Sequence, residues 1–270
     1  MNSPPQVIVS GAFDDLKSGD LRFLQEASQL GELTVLLWPD AAVAEATGKA
    51  PKFPLAERRY FLDAVRYVSQ VVDAEGDFDA LPHGLFTDIW ADYEPPANSA
   101  RRQLAAARGI CYREFSAAEL QGFPEPPPMP SAPGRKKVIA TGCYDWFHSG
   151  HVRFTEEAAA YGDLYICIGN DANVRMLKGE GHPLLSQEER RFVVGSIKYV
   201  KQALISTGSG WVDADPEINR IKPDYYVVNE DGDKGGKREY CLARGIGYVV
   251  LNRLPAPGLQ ARRSTDLRGF

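Results

Sequence analysis

Cysteine and histidine are scarce in this chain, with four of each among 270 residues. The cysteines, Cys111, Cys143, Cys167 and Cys241, lie far apart and form no CxxC pair, so neither a zinc site nor a disulfide framework is indicated. Reduced thiols in a cytosol fit best. No apolar run reaches the length of a bilayer span, and the N-terminus, Met-Asn-Ser-Pro-Pro, lacks the charged and apolar regions of a signal peptide. A soluble, cytoplasmic chain is expected. A sustained block of lysine or arginine is also missing and the formal charge is −5, which argues against nucleic acid as a partner. A small anionic ligand needs only a few local cations and stays open.

What is present is an apolar share of 44%, enough for packed cores, and an internal repeat. Gly11, Asp14, Ser18, Gly19, Arg22 and Phe23 recur as Gly142, Asp145, Ser149, Gly150, Arg153 and Phe154, all 131 positions on. Glu57-Arg58-Arg59 recurs as Glu189-Arg190-Arg191 at 132, and Arg108-Gly109-Ile110 as Arg244-Gly245-Ile246 at 136. Offsets that drift slowly are what loop insertions in a duplicated domain produce. Between the copies, Pro124, Pro126, Pro127, Pro128, Pro130 and Pro133 predict a semi-rigid extended spacer rather than a packed element. The expected organisation is a degenerate domain over 1–120, a proline-rich linker over 121–136 and an active domain over 137–270.

In the second copy, Lys137-Val138-Ile139-Ala140 reads as a strand, and a glycine turn leads into a helix over Val152 to Tyr161. Leu164 to Ile168 is the next strand, and Gln187 to Tyr199 has helical spacing with Ser186 as N-cap. Strands follow near 203–206, 225–229 and 247–251. Short continuous apolar strands alternating with helices predict an α/β fold, a Rossmann-like doubly wound parallel sheet covered on both faces, present twice.

Ligands of such sheets bind beyond the carboxyl ends of the strands, where Thr141, Gly142, Cys143, Tyr144 and Asp145 lead into His148, Gly150 and His151. Gly150 lets the backbone approach a phosphate, the helix start favours anions, and imidazoles three positions apart can converge on one phosphorus centre. The acidic turn Asn229-Glu230-Asp231 follows a later strand. Of the remaining marked residues, His182 reads as a plain exposed histidine, and Trp146 and Trp211 as packing residues rather than base stackers.

His148-Ser149-Gly150-His151 resembles the HxGH signature of the cytidylyltransferase-like nucleotidyltransferases. Leu177-Lys178-Gly179 resembles the lysine-bearing loop of the glycerol-phosphate and heptose-phosphate branches, and Glu189-Arg190-Arg191 their third-helix arginine. Arg263-Ser264-Thr265-Asp266-Leu267-Arg268 is similar to the family's Ser-Thr-Thr-x-Ile-Lys/Arg segment, with Arg263 where a serine is usual. The resemblance implies nucleotidyl transfer from CTP, or from ATP as the alternative, to a small phosphorylated alcohol or sugar, with pyrophosphate released. It implies phosphate contacts from His148, His151, Lys178 and Arg190, a pyrophosphate grip from Ser264 and Thr265, and Mg²⁺ bound through the nucleotide phosphates. No metal ligands on the protein are expected.

Lys17 and Asp20 stand where the histidines are in the first copy, and a carboxylate there repels a triphosphate. That copy is expected to be a pseudo-domain that buttresses the second as an intramolecular pseudo-dimer, which leaves room for further oligomerisation. A non-catalytic nucleotide sensor or interaction protein is the reading from another class. Class I aminoacyl-tRNA synthetases share an HxGH-type motif, but no KMSKS-like segment or basic surface is present.

Overall fold

A computed structural model of the protein describes residues 3–74, 81–93 and 100–262. The chain divides into two compact units, Met1–Gly122 and Phe123–Phe270. The first unit runs β1 (Gln6–Gly11), α1 (Ser18–Ser28), β2 (Glu32–Leu37), α2 (Asp40–Thr47), α3 (Leu55–Asp63), β3 (Gln70–Asp73), β4 (Ile89–Tyr93), α4 (Ala100–Arg108) and β5 (Cys111–Phe115). Its five strands are all parallel, in the order β3-β2-β1-β4-β5.

The second unit runs β6 (Lys137–Gly142), α5 (Ser149–Ala159), β7 (Asp163–Ile168), α6 (Asp171–Lys178), α7 (Gln187–Gly195) and β8 (Val200–Ile205). It continues with α8 (Asp215–Ile221), β9 (Tyr225–Asn229), a 3-10 turn at Glu230–Gly232, α9 (Lys237–Ala243) and β10 (Gly247–Leu251). Its parallel order, β8-β7-β6-β9-β10, is that of the first sheet. Each chain path leaves its first strand one way and later returns to the other side of it. That reversal opens a crevice at the carboxyl ends of β1 and β4, and again at those of β6 and β9.

The predicted doubly wound α/β fold is therefore the fold observed, with each sheet's central strand buried on both faces. Val7, Ile8 and Val9 of β1 are buried, as are Val138, Ile139 and Ala140 of β6. One glycine ahead of the second strand is needed in each unit. A Cβ at Gly31 would stand 2.1 Å from the Pro5 carbonyl oxygen, and one at Gly162 would stand 2.2 Å from that of Lys136.

Several elements differ from expectation. Helix α7 keeps its Ser186 cap, whose hydroxyl accepts the Glu189 N–H at 3.2 Å, but it ends at Gly195 rather than Tyr199. The short helices α6, α8 and α9 have no counterpart in the sequence reading. The proline-rich stretch has no helix or strand, yet it lies along the second unit instead of standing off as a spacer. Phe123 packs 5.8 Å from Phe192, Pro126 sits where a Cβ on Gly195 would be, and the Met129 N–H bonds the Lys201 carbonyl at 2.9 Å. Prolines preset an extended backbone and present apolar rings, so laying the segment on a helix costs little entropy. Among the described residues no helix is long and apolar enough to cross a membrane.

Candidate active site

The loop after β6 is strained by design of its sequence. Tyr144 takes a left-handed backbone, φ 55°, and its ring folds back so closely that a Cβ on Gly142 would stand 2.8 Å away. Asp145 then turns inward, is buried, and accepts the N–H groups of Leu184 at 2.6 Å and Leu185 at 3.1 Å. Asp145 also meets His182 Nδ1 at 3.3 Å, which makes His182 a half-buried partner rather than the plain exposed histidine expected.

Arg190 completes the clasp. Its guanidinium is fully buried and donates to the carbonyl oxygens of Leu185 at 3.1 Å, Cys143 at 2.7 Å and Gly169 at 2.8 Å, and to Asp171 at 2.6 Å. Expected as a cation for phosphate, it instead joins three loops. Asp145, expected at the nucleotide, is likewise occupied by backbone. Both position the site without entering it.

The two histidines do enter. His148 is the N-cap of α5, and its Nδ1 accepts the Gly150 N–H at 3.1 Å; the ring lies 2.9 Å from where a Cβ on Gly150 would sit, so a larger residue would displace it. His151 Nδ1 accepts the His148 N–H at 3.4 Å, and the rings lie 4.1 Å apart. His151 is also stacked on Phe147, with centroids 5.2 Å apart. Burial first, then the charges of Arg253 and Arg262, push the His148 imidazole down to about 4. Burial, then His148, Arg253 and Lys178, holds His151 well below the usual histidine value. Both rings are therefore neutral at physiological pH. With each Nδ1 used as an acceptor, the proton resides on Nε2. The His148 Nε2 is buried without a hydrogen-bond partner among the described residues, and both rings line the crevice cavity.

That cavity, about 160 Å³, is walled by Thr141, Gly142, Cys143, Tyr144 and Gly150 on the β6 side and by Val227, Val228, Asn229, Asp231 and Gly232 on the β9 side. Thr141 is fixed by a 2.6 Å hydrogen bond with the Tyr226 hydroxyl. Glu230 lies in an adjoining hollow of about 110 Å³ rather than in the cavity, its carboxylate accepting the Arg253 N–H at 3.4 Å. Lys178 is exposed at the end of α6 and does not line the cavity, although its charge reaches His151. Arg263, Ser264 and Thr265 lie outside the described residues.

Sequence reasoning missed Lys237 and Arg253, which are the lysine and arginine that line this cavity among the described residues. Arg253 pairs with Asp231 and donates to the Arg262 carbonyl at 3.3 Å. For Lys237 a signal existed, since Arg101 stands 136 positions earlier, at the offset of the Arg108 repeat. Trp211 is half exposed, edge-on to Tyr240 and against Gly235, outside the cavity.

The first unit has the same clasp without the histidines. Phe13 is left-handed at φ 44°, Asp14 accepts the N–H groups of Lys52 at 2.6 Å and Phe53 at 2.9 Å, and buried Arg58 donates to the carbonyls of Phe53, Ala12 and Trp38 and to Asp40. At the start of α1 the Asp20 carboxylate accepts the Lys17 N–H at 2.7 Å, doing for the backbone what His151 does for His148. Among the described residues, side chains meet across this crevice: Trp38, the equivalent of Gly169, donates its indole N–H to Ser10 at 2.9 Å beneath the Arg101 guanidinium. Arg101 meets Asp92 at 3.3 Å and the Ser10 carbonyl at 3.2 Å.

The Cytidylyltransferase-like family matches residues 139–248. The chain is 39% identical over 119 residues to the FAD synthase of Ferroglobus placidus, which covers 43% of this chain and 74% of that protein. It is 36% identical over 118 residues to the bifunctional protein HldE of Campylobacter concisus, covering 42% of this chain and 24% of the relative. Against HldE of Geobacter sulfurreducens it is 34% identical over 124 residues, covering 44% and 22%. The chain thus spans about a quarter or less of these bifunctional relatives.

Proposed function

The chain belongs to the cytidylyltransferase-like nucleotidyltransferases, and on that premise we propose that its second unit transfers a nucleoside monophosphate from a nucleoside triphosphate to a small phosphorylated acceptor. A phosphate oxygen of the acceptor attacks the α-phosphorus, the bond from that phosphorus to the bridging oxygen breaks, and pyrophosphate leaves. No covalent intermediate on the protein is needed. Catalysis then rests on alignment and on donors aimed at oxygens where charge grows.

The observation that carries this reading is the pair of neutral imidazoles at the start of α5, both lining the crevice, with the His148 Nε2 buried and without a hydrogen-bond partner among the described residues. Neutral rings in the Nε2–H form can only donate there, which suits the α- and β-phosphate oxygens. The unsatisfied N–H groups at the helix start add to the same field. Lys178 supplies a cation from the α6 end, and Ser264 and Thr265 are assigned to the leaving pyrophosphate. Among the described residues no cluster of three His, Cys, Asp or Glu could hold a metal ion. We assign Mg²⁺ to the triphosphate, where it would offset charge on the phosphate oxygens. The four free cysteines suit a cytosolic setting.

The resemblance in sequence pointed first to CTP. Identity of 39% to a protein whose product, FAD, carries an adenylyl group favours ATP, and we take ATP as the donor with CTP as the second reading. Pyrophosphate release should be measured with each nucleotide against a panel of phosphomonoesters that includes FMN, sugar phosphates and glycerol 3-phosphate. Turnover with one pair is expected. Nucleotide binding without turnover on any acceptor would replace the enzyme with a sensor.

A further inference from the structure

Resting on the nucleotidyl-transfer reading, we propose that Lys237 is the cation that receives the acceptor's phosphate, opposite the histidines that hold the donor's. Lys237 opens α9 and lines the same cavity of about 160 Å³ as His148 and His151, but from the β9 side. The acceptor phosphate has to enter this space to reach the α-phosphorus.

A phosphomonoester brings a charge of about −1.5 to −2 at neutral pH. The two imidazoles are neutral and donate without offsetting it. Of the two lysine or arginine residues on the cavity wall among the described residues, Arg253 already pairs with Asp231. Lys237 donates to a neutral group, the Gly232 carbonyl, at 2.8 Å. Asp231 and Asp233 are close enough to favour its charge and Lys234 disfavours it, yet burial outweighs them and lowers the Lys237 ammonium from its ordinary value. An anion docking there would gain a poorly compensated positive charge in a partly desolvated place.

The other unit supplies an internal control. Arg101, at the position that Lys237 holds in the second unit, pairs with Asp92, whose equivalent in the second sheet is Val228. Where the first unit gives this cation a strand carboxylate the second has valine, and there the cation lines a cavity.

Binding of α,β-methylene-ATP, and then of inorganic phosphate to the analogue-saturated full-length protein, should be measured calorimetrically for wild type, Lys237→Ala, Lys237→Gln and Lys237→Arg. We expect the alanine and glutamine variants to weaken phosphate by about tenfold or more while the analogue binds as before, and the arginine variant to recover most of the loss. Having two neutral variants keeps the test in hand should one fold poorly. Unchanged phosphate affinity in both neutral variants, equal loss of analogue and phosphate, or no phosphate binding to the analogue-saturated wild type would each overturn the assignment. Wild type that fails to bind the analogue at all would instead bring down the nucleotidyl-transfer reading on which it rests.

Discussion

At the end of β1 an indole, a guanidinium and a carboxylate are bonded to one another or to Ser10 across the crevice; at the end of β6 glycine, lysine and valine hold the equivalent positions, and the lysine and valine line a cavity. The loops around the two crevices are nonetheless held alike. A left-handed aromatic, an aspartate that binds two backbone N–H groups and a buried arginine that joins three loops occur in both units. Helix starts agree too, since Arg22 pairs with Glu26 and Arg153 with Glu157 one turn on. What both units keep therefore belongs to the scaffold. What differs between them, at Lys17 and His148, Asp20 and His151, and Arg101 and Lys237, is where we propose the chemistry lies.

The largest effect should come from breaking the open crevice. His148→Ala is expected to lower turnover by about 10²- to 10³-fold, with unchanged circular dichroism, as for loss of an oxyanion donor. Turnover equal to wild type would remove His148 from the mechanism. In the full chain, His148→Ala combined with His151→Ala should also abolish nucleotide binding. Nucleotide still bound by that double variant would reveal a working site in the first unit and end its reading as a pseudo-domain.

Next come the two clasps, which can be compared with each other. Arg58→Ala and Arg190→Ala should each destabilise their own unit by about 3 to 4 kcal/mol in denaturant titrations, because several buried carbonyls lose their donor. Similar losses would sharpen the assignment of Arg190 to the scaffold. If Arg190→Ala left stability intact and weakened only nucleotide binding, Arg190 would return to the phosphate site.

A smaller effect separates the units by pH. In the folded second unit His148 titrates at about 4, against 6.5 for an ordinary histidine, so between these values the unfolded chain takes up a proton that the folded chain refuses. His148 stabilisation is thus complete above pH 6.5 and lost as pH falls to about 4, on the order of 2 to 3 kcal/mol over that window. His148→Gln should flatten this part of the stability profile. A slope unaltered in the variant would contradict the burial of the ring. Smallest of all, Lys17→Ala at the start of α1 should shift stability by no more than about 0.5 kcal/mol and leave turnover unchanged. A larger change would mean that the exposed lysine holds more than its pairing with Asp15.

Much of the fold was legible because it is locally encoded. The apolar runs at 225–229 and 247–251 are strands over those residues, and the Ser186 cap forms as its spacing implies. Thr141 to Tyr144, Gly150 and the two histidines could be read as one site because a turn between a strand and a helix gathers neighbours in sequence. Arg190 could not be assigned in that way. Its charge looks the same whether it meets a phosphate or carbonyls, and the carbonyls it meets come from residues 5, 21 and 47 positions away. Lys237 begins a helix of seven residues after a Gly-Gly turn, too short to show a period among the surrounding charges.

By itself the sequence determined the strand and helix alternation, the repeated glycine turns and the place of the imidazole pair, since propensity, periodicity and turn chemistry act between near neighbours. Only the tertiary structure decided which charges are spent on the scaffold and which face the cavity. Burial and charge pairing arise where distant segments meet: Arg190 lost its freedom to Cys143, Gly169 and Asp171, and Lys237 lines the cavity and donates to a carbonyl, where its equivalent Arg101 pairs with a strand carboxylate.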